Sequence, residues 1–122
     1  MDAEWFDKVR SHVVDVPSVE LRHIPPEHPL DEPTRPRYEP TPRYVAVAEE
    51  FPDDSLDFVL VDGHYRQACI LNTLAKLRPG GLLVVDNTDW LPEPDWAVPE
   101  GWRVAHRSVN VVTETTIWRK PI

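Results

Sequence analysis

Four polar residues that could carry chemistry follow two apolar runs in the middle of the chain. Asp62 and His64 come after the first run, and Asp86 and Asn87 after the second. Carboxylate and amide oxygens are hard ligands, so Asp62, Asp86 and Asn87 would suit magnesium or calcium. The imidazole of His64, with an ordinary pKa of about 6.5, could act as a general base. The alternative is that Asp and Asn only form turns and that His64 is a water-exposed residue at a helix start.

Two strands and a helix would bring these residues together. The apolar run from Leu56 to Val61 is typical of a strand covered on both faces in a parallel sheet. Apolar spacing from His64 to Leu77 predicts a helix, which the following Arg-Pro-Gly-Gly would end. Leu82 to Val85 predicts a second strand. A strand, a helix and a strand form a right-handed crossover, so the strand ends before Asp62 and Asp86 should share one crevice.

The remaining elements predict an α/β domain with one irregular stretch. Seven prolines between positions 24 and 43 predict an extended loop, because proline lacks the amide donor that helices and inner strands need. The other expected elements are a helix from Ala3 to about Val13 capped by Asp2, a short strand from Val19 to Ile24, a short helix from Tyr44 to Phe51, and an antiparallel pair formed by Trp102 to Val111 and Thr115 to Arg119.

Length and charge restrict the class of protein. A chain of 122 residues allows one domain, here residues 1–122. The formal net charge of −8 argues against a nucleic-acid surface or an anionic membrane as partner. Cys69 is the single cysteine, which excludes an internal disulfide. No apolar window of about 18 residues and no signal-peptide core is present, so the cytoplasm is the expected location.

Several segments, taken in order, resemble the second half of class I S-adenosylmethionine-dependent methyltransferases. They are VLVDG, the helix after it, LRPGGLLVVDN and TTIWRK, preceded by DAEWFDKVR as a helix and VELRHI as a third strand. The resemblance implies a Rossmann-like sheet that is mostly parallel and ends in an antiparallel pair. The family's glycine-rich turn is missing, since none of the four glycines precedes the third-strand candidate. The expectation is therefore a truncated methyltransferase domain without the first two strands.

The resemblance also implies roles for individual residues. Asp62 and Gly63 would lie near the transferred methyl group of S-adenosylmethionine and bind that cofactor. An aspartate after one strand and Asp86-Asn87 after the next are similar to the divalent-metal site of catechol-type O-methyltransferases, which implies magnesium. Those enzymes carry a lysine base where this chain has Tyr65, which leaves His64 as the candidate base.

Three interpretations of function follow. The first is methyl transfer from S-adenosylmethionine to an oxygen or nitrogen of a small-molecule acceptor. The second is a non-catalytic remnant or interaction module, and the third is an incomplete gene product whose natural start lies upstream. Without the first two strands, the strand from Leu56 to Val61 would have an open edge. Either Val19 to Ile24 pairs there, or a second chain does, as in a homodimer.

Overall fold

The computed structural model describes residues 2–29 and 34–122. Their central feature is a four-stranded sheet whose first two strands are connected by one helix. The elements are α1 (Ala3–Val13), α2 (Arg43–Ala46) continued by a 3-10 turn (Val47–Glu50), β1 (Leu56–Val61), α3 (Arg66–Thr73), β2 (Leu77–Asp86), two 3-10 turns (Thr88–Trp90 and Glu93–Trp96), β3 (Arg103–Val109) and β4 (Glu114–Arg119).

The sheet mixes parallel and antiparallel pairs in the order β1-β2-β4-β3. β1 and β2 are parallel, with Val61 opposite Val85, which confirms the predicted crossover. β4 pairs antiparallel with both β2 and β3, as expected for the end of the chain. The α/β class is thus confirmed, but the expectation of a mostly parallel sheet is wrong for the described residues. The parallel part is limited to one pair because only one crossover is present.

The crossover helix is shorter than its apolar spacing predicts. α3 ends at Thr73, and Leu77 is already the first residue of β2, fully buried and opposite Leu56. The Lys120 ammonium, directly after β4, donates to the carbonyls of Leu74 at 3.0 Å and Leu77 at 2.7 Å. Two carbonyls that follow the end of α3 therefore have a hydrogen-bond donor. This tertiary contact lets the helix end before the proline.

The Arg-Pro-Gly-Gly segment lies inside β2 as a bulge rather than after a helix. The register shifts between Leu56 and Phe58 on the β1 side, where the partners change from Leu77 to Leu82. Gly80 has a φ of 80°, a backbone angle that L-residues with side chains rarely adopt. Glycine is therefore needed here to turn the bulge, not to end the helix.

The first third of the chain contributes no strand among the described residues. Val19 to Ile24 has no ladder partner, so the expected third strand is wrong, and so is its pairing with β1. Arg22 forms an ion pair with Glu50, which ties this extended segment to the 3-10 turn before β1. α1 matches its predicted bounds, with the Asp2 carboxylate accepting from the Trp5 amide at 2.7 Å.

The described part of the proline-rich stretch, 24–43, is almost entirely an irregular loop, as predicted. Its described residues, 24–29 and 34–42, contain neither helix nor strand, and only its last residue, Arg43, begins α2. Four of its positions, 30–33, lie outside the described residues. The predicted helix after the loop is confirmed as α2 and its 3-10 continuation.

The main core lies on one face of the sheet. It is formed by Val61, Ile70, Leu77, Leu83, Val85, Trp96 and Trp118. On the opposite face of β1, Phe58 is 56% exposed and Leu60 is 54% exposed. The expectation that β1 is covered on both faces is therefore wrong, because no described element packs over Phe58 and Leu60. Within the described ranges no helix is both long and apolar enough to cross a membrane.

Candidate functional site

The ends of β1 and β2 lie side by side at one edge of the sheet. Because Val61 pairs with Val85 in parallel register, Asp62 and Asp86 leave their strands at neighbouring positions. Asn87 follows with a φ of 59°, a left-handed conformation that asparagine tolerates better than most residues. The central geometric prediction from the sequence, a shared edge for these two aspartates, is confirmed.

Arg66 occupies the centre of this edge. One guanidinium nitrogen donates to the backbone carbonyl of Asp86 at 2.6 Å. The other donates to Asn87 Oδ1 at 3.1 Å and lies 3.4 Å from Asp62 Oδ1. The guanidinium carbon lies 4.7 Å from the centroid of the Trp90 ring. Arg66 therefore links both strand ends, a role that the sequence interpretation missed although Asp62 and Arg66 are four residues apart.

The two predicted oxygen ligands after β2 have partners within the protein. Thr115 donates its hydroxyl to Asp86 Oδ1 at 2.7 Å, and this hydrogen bond is the main reason that the pKa of Asp86 is lowered. The positive charge of Arg66 lowers the pKa of Asp86 further. The amide nitrogen of Asn87 donates to the Thr113 hydroxyl at 2.5 Å, which leaves its oxygen directed to Arg66.

This arrangement does not fit a divalent metal. The oxygens of Asn87 and of the Asp86 carbonyl already accept from a permanently charged guanidinium, where an ion would have to bind. In the described part of the chain, no group of three or more His, Cys, Asp or Glu side chains could hold a metal ion. The metal role of Asp62, Asp86 and Asn87 stays a prediction from the sequence, and the structure offers it no support.

A crevice of about 320 Å³ opens beside this edge. We call it the strand-end crevice. Its walls are mainly aromatic and imidazole rings together with Arg66 and the Gly63 backbone, and the residues that matter here are His28, Tyr38, Gly63, His64, Tyr65, Arg66 and Trp90. A concave site of this size with a few polar groups is the usual form of a small-molecule site.

His64 is neutral at neutral pH in this environment. Partial burial is the main cause that lowers its pKa, and the charge of Arg66 acts in the same direction. A neutral imidazole has a free lone pair, so His64 keeps the form that can accept a proton. The structure thus places the candidate base on the wall of the strand-end crevice, one residue from Gly63.

The Tyr44 hydroxyl lies in the space beside Gly63. A Cβ atom at position 63 would collide with the Tyr44 hydroxyl oxygen, whereas the ring carbon Cζ would lie at 3.5 Å. Gly63 has no positive φ, so the demand for glycine here comes from space and not from backbone conformation. Burial raises the pKa of Tyr44, which therefore stays protonated.

Tyr65 replaces the lysine that the methyltransferase resemblance would place here, and it has a structural role. Its hydroxyl oxygen accepts from the amides of Glu27 at 3.0 Å and His28 at 2.9 Å, which fixes the start of the proline-rich loop against the crevice. Its φ of 54° is uncommon for a residue other than glycine. The sequence could not reveal this contact, because its partners are 37 and 38 residues away.

The two tryptophans after β2 differ in their environment. Trp96 is 1% exposed and donates its indole N–H to the Thr88 carbonyl at 3.0 Å, so it belongs to the core. Trp90 is 63% exposed and contacts Arg66 at the crevice wall. Of the two, Trp90 is the residue that could cover a flat ligand.

Asp62 and Gly63 are the residues that the sequence resemblance assigns to S-adenosylmethionine. Asp62 and Gly63 lie at the strand end where the transferred methyl group would be expected, but the chain has no glycine-rich turn to hold the methionine end. Cofactor binding by Asp62 and Gly63 therefore stays a prediction.

Solved structures of other proteins share the fold of this chain. No protein-family model and no curated protein matches the sequence. One similar solved structure is described as "Putative methyltransferase yhhF from Escherichia coli", with 13% identity, a TM-score of 0.56, and 99% of this chain covering 60% of that one. Another is a "putative type 11 methyltransferase from Sulfolobus solfataricus", with 19% identity, coverage of 62% and 56%, and a TM-score of 0.41. The chain thus spans 60% of the length of the first structure, and the likeness shows that it has a methyltransferase-like fold.

Proposed function

We propose that the chain takes part in methyl transfer from S-adenosylmethionine to an oxygen or nitrogen atom of a small planar acceptor bound in the strand-end crevice. One observation carries this proposal. In a methyltransferase-like fold, an aromatic-walled crevice lies at the carboxyl ends of β1 and β2, and a neutral histidine lines it. Ligand sites of open α/β sheets lie at this edge.

The proposed roles follow from the positions of the side chains. When bound, S-adenosylmethionine supplies an electrophilic methyl group. His64 would take the proton from the acceptor as the acceptor's lone pair forms the new bond to carbon. The bond from that carbon to sulfur would break, and its electron pair would stay on the sulfur of S-adenosylhomocysteine. Trp90 would hold a flat acceptor in place. Asp62 and Gly63 are the proposed contacts on the cofactor side. Positioning supplies much of the rate in such a reaction, and a general base adds about a hundredfold or more.

Binding is the first test. The chain is titrated with S-adenosylmethionine up to millimolar concentration while amide NMR signals are recorded. The proposal expects saturable shifts at Gly63 and His64, with none at Gly101, which lies away from the crevice. No shift at millimolar cofactor would remove the proposal for this chain.

Turnover is the second test. Labelled S-adenosylmethionine is supplied with a panel of simple phenols and aromatic amines. Where transfer occurs, His64→Gln should lower its rate about a hundredfold or more. The matched control is His12→Gln, because His12 is an exposed residue of α1. Equal loss in both variants would contradict a base role for His64.

A second candidate is an interaction module that pairs with another copy through β1. Phe58 and Leu60 are more than half exposed on a strand that ends the described sheet. A two-fold axis at Val59 would run two β1 strands antiparallel and set Phe58 opposite the partner's Leu60 on one face, a favourable cross-strand pair. The formal charge of −8 per copy would make such a dimer tighter at higher salt.

Light scattering tests this dimer. The wild-type chain should show a concentration-dependent dimer, and Leu60→Lys should be monomeric. Val112→Lys is the matched control, since Val112 is 86% exposed in the turn between β3 and β4. A wild-type monomer at millimolar concentration would exclude the dimer.

A further inference from the structure

We infer that the Arg66 guanidinium is the resident cation of the strand ends and takes the position that a divalent metal would occupy. The inference concerns ion binding, and it holds whether or not the chain transfers methyl groups. It identifies Arg66 as the residue that makes this site independent of metal.

The contacts of Arg66 match those of a bridging cation. Its planar fork reaches one backbone oxygen and two side-chain oxygens, which belong to Asp86, Asn87 and Asp62. Arginine suits this position because it is charged at all relevant pH values and its donors have fixed directions. The fork therefore connects β1 to β2 as a shared ion would.

Arg66 is enclosed as well as bonded. The residue is 9% exposed, and the Trp90 ring covers its guanidinium. Its Nε atom is buried and has no hydrogen-bond partner among the described residues, so the side chain is positioned by the two terminal nitrogens. Such a charge in a confined site repels a second cation strongly.

The remaining ligands are unsuited to recruit an ion around Arg66. The Asp86 carboxylate accepts from Thr115, and the Asp62 side chain is 51% exposed to solvent. Magnesium requires six oxygens in nearly ideal octahedral geometry. Because Arg66 already takes the oxygens of Asn87 and of the Asp86 backbone, a ligand in the strand-end crevice would not be held by chelation. It would meet aromatic walls and one arginine.

The experiment uses terbium(III) as a luminescent probe, excited through tryptophan. Trp90 is in contact with the Arg66 guanidinium, so an ion at that position would be sensitised. The wild-type chain should give no saturable luminescence. Arg66→Gln frees the oxygens and should give a saturable signal that Asp86→Asn, added to it, removes. Arg78→Gln, which breaks an exposed pair with Asp57, is the matched control and should give none.

A second measurement needs no variant. The urea midpoint of the wild-type chain should be the same in magnesium chloride and in sodium chloride of equal ionic strength, because a ligand that binds only the folded state would raise it. Saturable terbium binding to the wild type that Asp86→Asn abolishes, or a magnesium-specific rise of the midpoint, would overturn the inference. A folded Arg66→Gln chain without terbium binding would overturn it as well.

Discussion

The packing of Tyr44 against Gly63 gives a quantitative prediction. In Gly63→Ala, the new methyl group collides with the Tyr44 hydroxyl, and overpacking of this kind costs about 1–3 kcal/mol. Loss of glycine flexibility in the unfolded chain offsets about 0.4–1 kcal/mol of this, since Gly63 has no positive φ. We expect Gly63→Ala to lower the free energy of unfolding by roughly 1–2 kcal/mol.

A double-mutant cycle isolates this contact. In a Tyr44→Phe background the hydroxyl is gone and the methyl group meets only Cζ at 3.5 Å, an ordinary contact. Gly63→Ala should then be neutral or slightly stabilising. The unfolded-state term is the same in both backgrounds, so the coupling free energy should equal the cost of the collision, about 1–3 kcal/mol. Urea unfolding followed by tryptophan fluorescence measures all four proteins. Gly101→Ala is the control, because a Cβ atom there would meet nothing within 4 Å, and it should be neutral or slightly stabilising. The same cost for Gly63→Ala in both backgrounds would refute the packing argument.

Three further predictions concern the same edge of the sheet. Arg66→Ala should lower the free energy of unfolding by roughly 2–3 kcal/mol because it leaves two part-buried acceptors unpaired, whereas Arg78→Ala, at an exposed pair, should cost less than about 1 kcal/mol in urea unfolding. The folded-state pKa of Asp86 is lowered, so this carboxylate stabilises the fold above its unfolded pKa of about 3.8, and the stabilisation is lost as pH falls through the folded-state pKa. Thr115→Val should raise the folded-state pKa of Asp86 in an NMR titration and make stability depend less on acid pH. The folded-state pKa of His64 is also lowered, mainly because burial disfavours the charged imidazole, so stability should decrease as pH falls from the unfolded pKa of about 6.5 towards the folded-state pKa. His64→Gln should weaken this dependence, and an unchanged pH profile would contradict it.

The elements that position the site could be predicted because their signals are local. Apolar runs before Asp62 and Asp86 define two strands. The helix between them carries the chain back along the sheet, so the second strand runs parallel to the first. The shared edge then follows from handedness and chain direction. The antiparallel pair of β3 and β4 could be found in the same way from residues rich in β-formers.

What the sequence could not reveal depends on contacts between distant residues. From the sequence, Leu77 could equally be the last apolar residue of the helix or the first residue of β2. Lys120, which contacts the carbonyls after the helix, is more than 40 residues away in the sequence. Val19 to Ile24 has the composition of a strand but pairs with no strand of the described sheet, although β1 lies at its edge. In the sequence Arg66 is one helical residue among others, because its partners at Asp86 and Asn87 come together only in the folded chain.

Interproton distances by NMR test the central claim most directly, namely that β1 and β2 run parallel and that Arg66 joins their ends. We expect parallel cross-strand contacts between Leu60 and Val84 and between Val61 and Val85, together with contacts from the Arg66 side chain to the Trp90 indole. Antiparallel contacts between these strands, or an Arg66 side chain far from Trp90 and free in solvent, would contradict that claim.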